Sequence, residues 1–169
     1  MKKIGFIGAG NMATAIIKGI IARNGNADNI NVFDVSEEKQ NLMKELGAAV
    51  CGSCADVTAK SDIIVLAVKP QHYAEAIASL KDAATAEKTF VSIAAGISIS
   101  YVQNALGKAC PVVRVMPNTP ISVSMGSSAL VKMAPVTDEQ FDFVKGCFDS
   151  CGVTSIVKEE QINTVIAIS

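Results

Sequence analysis

Short apolar segments alternate with segments of helical character along the first two-thirds of the chain. Strands are predicted at residues 3–8, 30–35, 48–51, 62–70, 89–96 and 111–120. Helices are predicted between them, at residues 11–23, 37–46, 56–60, 71–80 and 98–106. The runs 62–70 and 89–96 are almost continuously apolar, which is typical of strands buried on both faces of a parallel sheet. The alternation therefore predicts an α/β fold with a doubly wound, mostly parallel sheet.

The pattern changes after residue 117. A strand is predicted at 126–133, a helix at 138–150 and a last strand at 152–157, so the sheet is expected to gain an antiparallel edge. Residues 158–169 have the pattern of the first turns of an apolar helix that lacks a C-terminal cap. We interpret them as the start of a second domain whose remainder is missing.

The first predicted strand leads directly into a glycine-rich turn. Gly8, Gly10 and Ala13 match the G-x-G-x-x-[G/A] pattern of dinucleotide-binding loops. Gly8 permits a tight turn, Gly10 leaves room for a pyrophosphate, and Ala13 allows close packing of helix on strand. The helix that begins near Asn11 directs free N–H groups and a partial positive charge at the phosphates. A Rossmann-like dinucleotide site along Gly8 to Met12 is predicted, and a glycine-rich turn without a nucleotide is the alternative.

Asp34 closes the second predicted strand, about 20 residues beyond the glycine motif, where an acidic residue is expected to bind the adenosine ribose hydroxyls. A carboxylate there favours NADH and repels the 2′-phosphate of NADPH. Ser36 and Lys39 follow closely and have the chemistry to bind that phosphate. Alternatively, Ser36 only caps the next helix and Lys39 is only solvated. The sequence leaves both NADH and NADPH open as the cofactor.

Ligands of open parallel sheets lie across the carboxyl ends of the strands. Two further loops at such ends are therefore candidates for cofactor binding. One contains Ala67, Val68, Lys69 and Pro70, and the other contains Ala94, Ala95 and Gly96. The small residues of the second loop would let a flat ring lie against the backbone. His72, the only histidine, is expected to be a solvated residue at a helix start.

Composition and charge narrow the functional classes. The net charge is −1 without a basic stripe, which argues against nucleic acid or an anionic membrane as a partner. No segment approaches the roughly 20 apolar residues of a spanning helix, and we expect a cytoplasmic protein. The five cysteines are expected to be reduced thiols with neither zinc nor a disulfide, although Cys51 and Cys54 have the spacing of a redox or metal pair.

Four stretches of the chain, in this order, together resemble pyrroline-5-carboxylate reductase: GFIGAGNMATAI, DIIVLAVKPQ, VSIAAGISI and RVMPNTP. The resemblance implies reduction of the cyclic imine 1-pyrroline-5-carboxylate to L-proline with NADPH or NADH, the last step of proline biosynthesis. It implies a Rossmann-like domain, here residues 1–157, followed by a helical dimerisation and substrate domain that residues 158–169 only begin. It also implies a homodimer or larger homo-oligomer at full length, and we expect the fragment alone to be inactive.

The resemblance also assigns roles to residues. The first loop would hold the pyrophosphate with Ile7, Gly8, Ala9, Gly10, Asn11 and Met12. Residues near Ser36 would meet the adenosine ribose or its phosphate, Ala67–Pro70 and Ala94–Gly96 would line the nicotinamide, and Asn118 and Thr119 would face the imine. No metal is implied, and the catalytic residues are expected in the missing part. The chain departs from the family at Cys54, where Asn is frequent, and at Ile166, where Thr is usual.

Two other functions are compatible with the N-terminal motif. The first is a related NAD(P)-dependent hydroxyacid dehydrogenase or deazaflavin reductase, which would usually need a catalytic lysine or similar base downstream. The second is a module that senses NAD(P) and regulates a partner without catalysis. Turnover of a pyrroline carboxylate would discriminate among the three.

Overall fold

The computed structural model describes residues 1–118, 120–121 and 126–168, with the backbone alone for 166–168. Its eight strands are β1 Ile4–Ile7, β2 Ile30–Phe33, β3 Ala49–Val50, β4 Ile63–Leu66, β5 Thr89–Ser92, β6 Val112–Pro117, β7 Gly126–Val131 and β8 Gly152–Ile156. The helices are α1 Asn11–Asn24, α2 Glu37–Glu45, α3 Cys54–Lys60, α4 Tyr73–Leu80, α5 Ile99–Leu106, α6 Asp138–Asp149 and α7 Glu159–Ile168. A short 3-10 helix, Pro70–His72, precedes α4.

All eight strands form one sheet in the order β3-β2-β1-β4-β5-β6-β7-β8. The first six are parallel, whereas β7 runs antiparallel to β6 and β8 runs parallel to β7. The chain starts in the middle with β1, builds outward to β3, and then crosses back to β4. This order is that of a doubly wound sheet, so the predicted Rossmann-like α/β fold with an antiparallel edge is confirmed.

Helices cover both faces of the sheet, and each face has its own apolar core. On one face, α1 and α6 pack against the strands through Ile16, Ile17 and Phe148. On the other face, α4, α5 and α7 contribute Tyr73, Val102 and Ile162. β1, β4 and β5 are buried along their whole length, and β1 and β4 are accordingly without polar side chains, whereas β5 buries the hydroxyls of Thr89 and Ser92 at its two ends.

The strands are shorter than the apolar runs that predicted them. The runs 62–70 and 89–96 were expected to be strand throughout, yet β4 ends at Leu66 and β5 at Ser92. The run 111–120 likewise ends as a strand at Pro117, and Val35, predicted within a strand, is 91% exposed beyond β2. The extra apolar residues lie in the loops at the carboxyl edge of the sheet, where Ala67 and Ile93 pack against one core and Val68 and Ala94 against the other.

All five cysteines lie within the described residues. All five cysteines are free thiols, and burial raises the pKa of the Cys147 thiol to about 12. Among the residues that the structure describes, no three His, Cys, Asp or Glu side chains cluster as metal ligands would. In the same residues, no helix has the length and apolar character needed to cross a membrane.

Candidate functional site

The parallel strands bring the predicted loops together at one edge of the sheet. Ile7 at the end of β1 is in register with Phe33 at the end of β2 and with Leu66 at the end of β4. Leu66 is in turn in register with Ser92 of β5. The loops that follow these four strands are therefore neighbours, and they contain the glycine turn, Asp34, Ala67–Pro70 and Ala94–Gly96.

The backbone conformation of the glycine turn requires a glycine at position 8. Its φ of +99° lies in the region that side chains rarely adopt, and a Cβ there would lie 2.9 Å from the carbonyl oxygen of Ala67. The Gly8 N–H donates to the Phe33 carbonyl at 2.8 Å, and the Ala67 N–H donates to the Ile7 carbonyl at 2.8 Å. The turn is thereby attached to β2 on one side and to the loop after β4 on the other.

Gly10 differs from Gly8 both in its backbone conformation and in the space around its side-chain position. Its φ is −72°, which any residue adopts, and a Cβ there would meet no atom of the described residues within 4 Å outside its chain neighbours. Gly10 is also the N-cap of α1, and no side chain of the described residues caps that end. The side-chain position of Gly10 is therefore open space at the N-terminus of α1, where an anion is electrostatically favoured.

The Asp34 carboxylate is buried, with 8% of the residue exposed, and joins two loops. Its Oδ2 accepts the Ala9 N–H at 2.7 Å and its Oδ1 accepts the Ser36 N–H at 2.8 Å. The Gln40 amide donates to the Asp34 carbonyl at 2.6 Å. Asp34 thus lies where the sequence placed it, but both of its oxygens bind protein backbone.

The residues beyond Asp34 form the start of α2. The Ser36 hydroxyl accepts the Lys39 N–H at 3.5 Å, so Ser36 caps the helix as one reading of the sequence proposed. The Lys39 ammonium lies 3.9 Å from Asp34 Oδ2 and is half-exposed. Val35, between them, is almost fully exposed. The charged and polar groups expected near an adenosine ribose are therefore present at this corner of the sheet.

Tyr73 connects the two loops on the other side of the glycine turn, and the sequence analysis did not single it out. Its buried hydroxyl donates to the Leu66 carbonyl at 2.7 Å and lies 3.2 Å from the Ser92 hydroxyl. Burial raises the pKa of Tyr73, so the hydroxyl stays protonated as a donor. Tyr73 holds together the ends of β4 and β5, from which Ala67–Pro70 and Ala94–Gly96 follow. Ala95, Gly96, Lys69 and Pro70 are exposed there.

The loop after β6 is only partly described. The Asn118 side chain accepts the Ser127 N–H at 2.8 Å and its backbone N–H donates to the Ser127 carbonyl, so Asn118 extends the pairing of β6 with β7. Thr119 lies outside the described residues. His72 is exposed in the 3-10 helix, as expected for a solvated histidine.

An ionic cluster around the buried Arg114, which the sequence analysis also missed, links α7 to the sheet. Arg114 on β6 is 4% exposed, and its Nη1 lies 3.6 Å from Glu159 Oε1 while its Nη2 donates to Asn163 Oδ1 at 3.4 Å. Glu159 Oε1 also accepts the Ile99 N–H at the start of α5, at 2.9 Å. The cluster fixes α7 to β6 and to the helix that follows the Ala94–Gly96 loop.

A doubly wound sheet with a glycine turn between β1 and α1 defines a Rossmann-like dinucleotide-binding domain of the kind found in oxidoreductases. The family model described as NADP oxidoreductase, coenzyme F420-dependent, matches residues 3–96. That match covers more than half of the chain, and the chain belongs to this family.

Individual relatives confirm the resemblance to pyrroline-5-carboxylate reductases. The chain is 37% identical over 170 residues to the pyrroline-5-carboxylate reductase of Methanosarcina acetivorans, covering 99% of this chain and 63% of that protein. The structure of a Coxiella burnetii pyrroline-5-carboxylate reductase superposes with a TM-score of 0.94 at 32% identity, covering 99% of this chain and 63% of that one. The Plasmodium falciparum enzyme, solved with NADP bound, has a TM-score of 0.89 at 30% identity, over 99% of this chain and 62% of that one. The chain thus spans somewhat less than two-thirds of these relatives' length.

Proposed function

We propose that residues 1–157 bind NADPH or NADH across the carboxyl edge of the sheet, with the pyrophosphate at the glycine turn. The open space at Gly10 supports this most directly. Its backbone conformation is open to any residue and its side-chain position meets no described neighbour, so the fold itself does not require glycine there. A ligand that must approach the backbone closely does require it. The residues present therefore fit a dinucleotide.

The proposed contacts follow the order of the strands. Gly8 to Met12, with Ile7 behind them, surround the pyrophosphate, and the corner formed by Asp34 and Ser36 lies beside the adenosine ribose. Ala67–Pro70 and Ala94–Gly96 lie beside the nicotinamide, with Asn118 and Thr119 facing the substrate. Tyr73 acts behind these loops, since its hydroxyl ties the ends of β4 and β5 together.

The proposed reaction is reduction of 1-pyrroline-5-carboxylate to L-proline by the protein that carries this chain. The reductase names of its relatives and the four sequence stretches support this assignment. When bound, the nicotinamide supplies a hydride for the C=N carbon of the substrate. The residues of this chain orient the two reactants and exclude water, which accounts for a large part of the acceleration of a transfer reaction.

Residues 158–169 are proposed to begin the helical part that completes the substrate pocket. Arg114 and Glu159 support this, because they fix the start of α7 beside the helix that follows the Ala94–Gly96 loop. The whole protein is proposed to act on a small-molecule substrate as a cytoplasmic homodimer or larger homo-oligomer. Residues 1–169 alone are expected to bind the cofactor without useful turnover.

The test is to measure oxidation of NADPH and of NADH by the protein that carries this chain, with 1-pyrroline-5-carboxylate as substrate. Proline formation with either cofactor is expected. The family model's description names coenzyme F420, so a deazaflavin should be assayed in parallel. Turnover of a deazaflavin or a hydroxyacid without turnover of the pyrroline would contradict the proposal. Dinucleotide binding without turnover of any of these substrates would favour a sensing module.

A further inference from the structure

The Asp34 carboxylate supplies the hydrogen-bond acceptor that a neighbouring strand would otherwise supply, at the point where the pairing of β1 and β2 ends. The Gly8 N–H still donates to a main-chain carbonyl of the neighbouring strand segment, that of Phe33. The positive φ of Gly8 then turns the chain, and the next N–H, that of Ala9, donates to Asp34 Oδ2 at 2.7 Å. A side-chain oxygen therefore satisfies a buried N–H that no carbonyl of β2 reaches.

The second oxygen of the same carboxylate holds a different loop. Oδ1 accepts the Ser36 N–H at 2.8 Å, directly before α2. Gln40 on α2 donates to the main-chain carbonyl of Asp34, so the backbone at Asp34 is also attached to α2. One buried carboxylate thus connects the glycine turn to the corner beside Ser36, and hydrogen bonds to an ionised group are stronger than those between neutral groups.

We infer that Asp34 is a positioning residue for the dinucleotide site: it holds the glycine turn and the Ser36 corner in their binding conformation. This inference rests on the proposed dinucleotide binding. It differs from the role that the sequence suggests, in which the carboxylate accepts ribose hydroxyls and repels a 2′-phosphate. A carboxylate has about four acceptor positions, and backbone N–H groups use two of them here. The response of the two cofactors to substitution distinguishes the two roles.

The two roles predict opposite changes in NADPH affinity when position 34 loses its negative charge. If Asp34 acted mainly by repulsion at the 2′ position, Asp34→Asn would strengthen NADPH binding and change the NADH-to-NADPH ratio. If Asp34 acts by positioning, the same substitution weakens both cofactors equally. The amide that replaces the carboxylate has one acceptor oxygen, and its NH₂ group faces a backbone donor. Asp34→Asn therefore keeps only one of the two hydrogen bonds, and Asp34→Ala keeps neither.

The experiment compares Asp34→Asn and Asp34→Ala with the unsubstituted protein. Asp28→Asn is the control, because Asp28 is an exposed aspartate before β2, at the opposite edge of the sheet, and its loss changes the net charge equally. Amide hydrogen exchange is measured without nucleotide, and dissociation constants are measured for NADPH and NADH. Thermal unfolding is recorded for each variant, so that affinities are compared only among folded proteins.

The inference predicts that the Ala9 and Ser36 amides exchange at least about tenfold faster in Asp34→Ala, and that at least one does so in Asp34→Asn. Both cofactors should bind about tenfold more weakly to Asp34→Asn, with the ratio of the two dissociation constants within about threefold of its original value. Tighter NADPH binding, a larger change of the ratio, or unchanged exchange at both amides would overturn it. If the unsubstituted protein binds neither cofactor, the proposed function is wrong, whereas the exchange result tests the positioning of the loops separately.

Discussion

The glycine turn and the Arg114 cluster lie on the same sheet, but the turn is open to solvent at Gly10 whereas the cluster joins two elements. In the turn, no side chain of the described residues caps the start of α1, and the side-chain position of Gly10 is open space. In the cluster, the Arg114 guanidinium lies beside the Glu159 carboxylate and donates to the Asn163 side chain, and these contacts join β6 to α7. Open space at the N-terminus of a helix suits an anionic ligand, whereas charged contacts between a strand and a helix hold two elements together. Substitutions in the two regions should therefore differ in whether they affect binding or stability.

The largest effect is expected at Gly8, where the turn needs glycine for folding. Gly8→Ala should lower the free energy of unfolding by roughly 3 kcal/mol, because it adds a strained φ and a close approach to the Ala67 carbonyl. Gly25→Ala is the matched control, since Gly25 has a positive φ of 83° but no described atom within 4 Å. It should cost only about 1 kcal/mol. Equal losses of stability in denaturant unfolding would show that the Ala67 contact is unimportant.

The next largest loss of stability is expected in the Arg114 cluster. Glu159→Ala leaves the buried Arg114 guanidinium without its carboxylate and the Ile99 N–H without its acceptor. Removing one partner of a buried ion pair costs about 3–5 kcal/mol, and we expect about 2 kcal/mol here because Glu159 is partly exposed. The neighbouring, exposed Glu160→Ala should change stability by less than about 0.5 kcal/mol. If the two variants unfold at the same denaturant concentration, the cluster does not fix α7.

Gly10→Val should separate binding from stability. A side chain there occupies the space proposed for the pyrophosphate, so affinity for NADPH and NADH should fall at least about tenfold, or roughly 1.4 kcal/mol. The backbone conformation suits valine, and the free energy of unfolding should change by less than about 1 kcal/mol. Calorimetry that finds unchanged affinity in a folded variant would remove the glycine turn from the site.

The smallest effect is expected at Tyr73. Tyr73→Phe keeps the buried ring but removes the hydroxyl that donates to the Leu66 carbonyl and contacts Ser92. A net loss of about 1 kcal/mol of stability is expected for such a hydrogen bond. Cofactor affinity should fall slightly as well, because the loops after β4 and β5 lose their common anchor. A variant as stable as the original would show that water replaces the hydroxyl without cost.

Sequence reasoning predicted the order of the elements and the places of the loops, because burial on both faces makes strands apolar and glycine spacing marks the turn. It also located Asp34, but it could not say which atoms the carboxylate binds. Strand ends were too long by several residues where apolar loops followed, as after Leu66 and Ser92. The contact of Arg114 with Glu159 joins residues that are distant in the sequence, so no local pattern indicates it. Tyr73 was missed because its spacing shows only that it lies on an apolar helix face, whereas its hydroxyl partners lie at the ends of β4 and β5.

Amide resonances followed during titration with NADPH and with NADH test the central claim most directly. If the carboxyl edge binds the dinucleotide, the largest chemical-shift changes occur at Gly8 to Met12, with further changes at Ser36, 67–70 and 94–96. The opposite edge of the sheet, near Asp62 and Thr89, stays unchanged. No shift at saturating cofactor, or shifts confined to that opposite edge, would contradict the account.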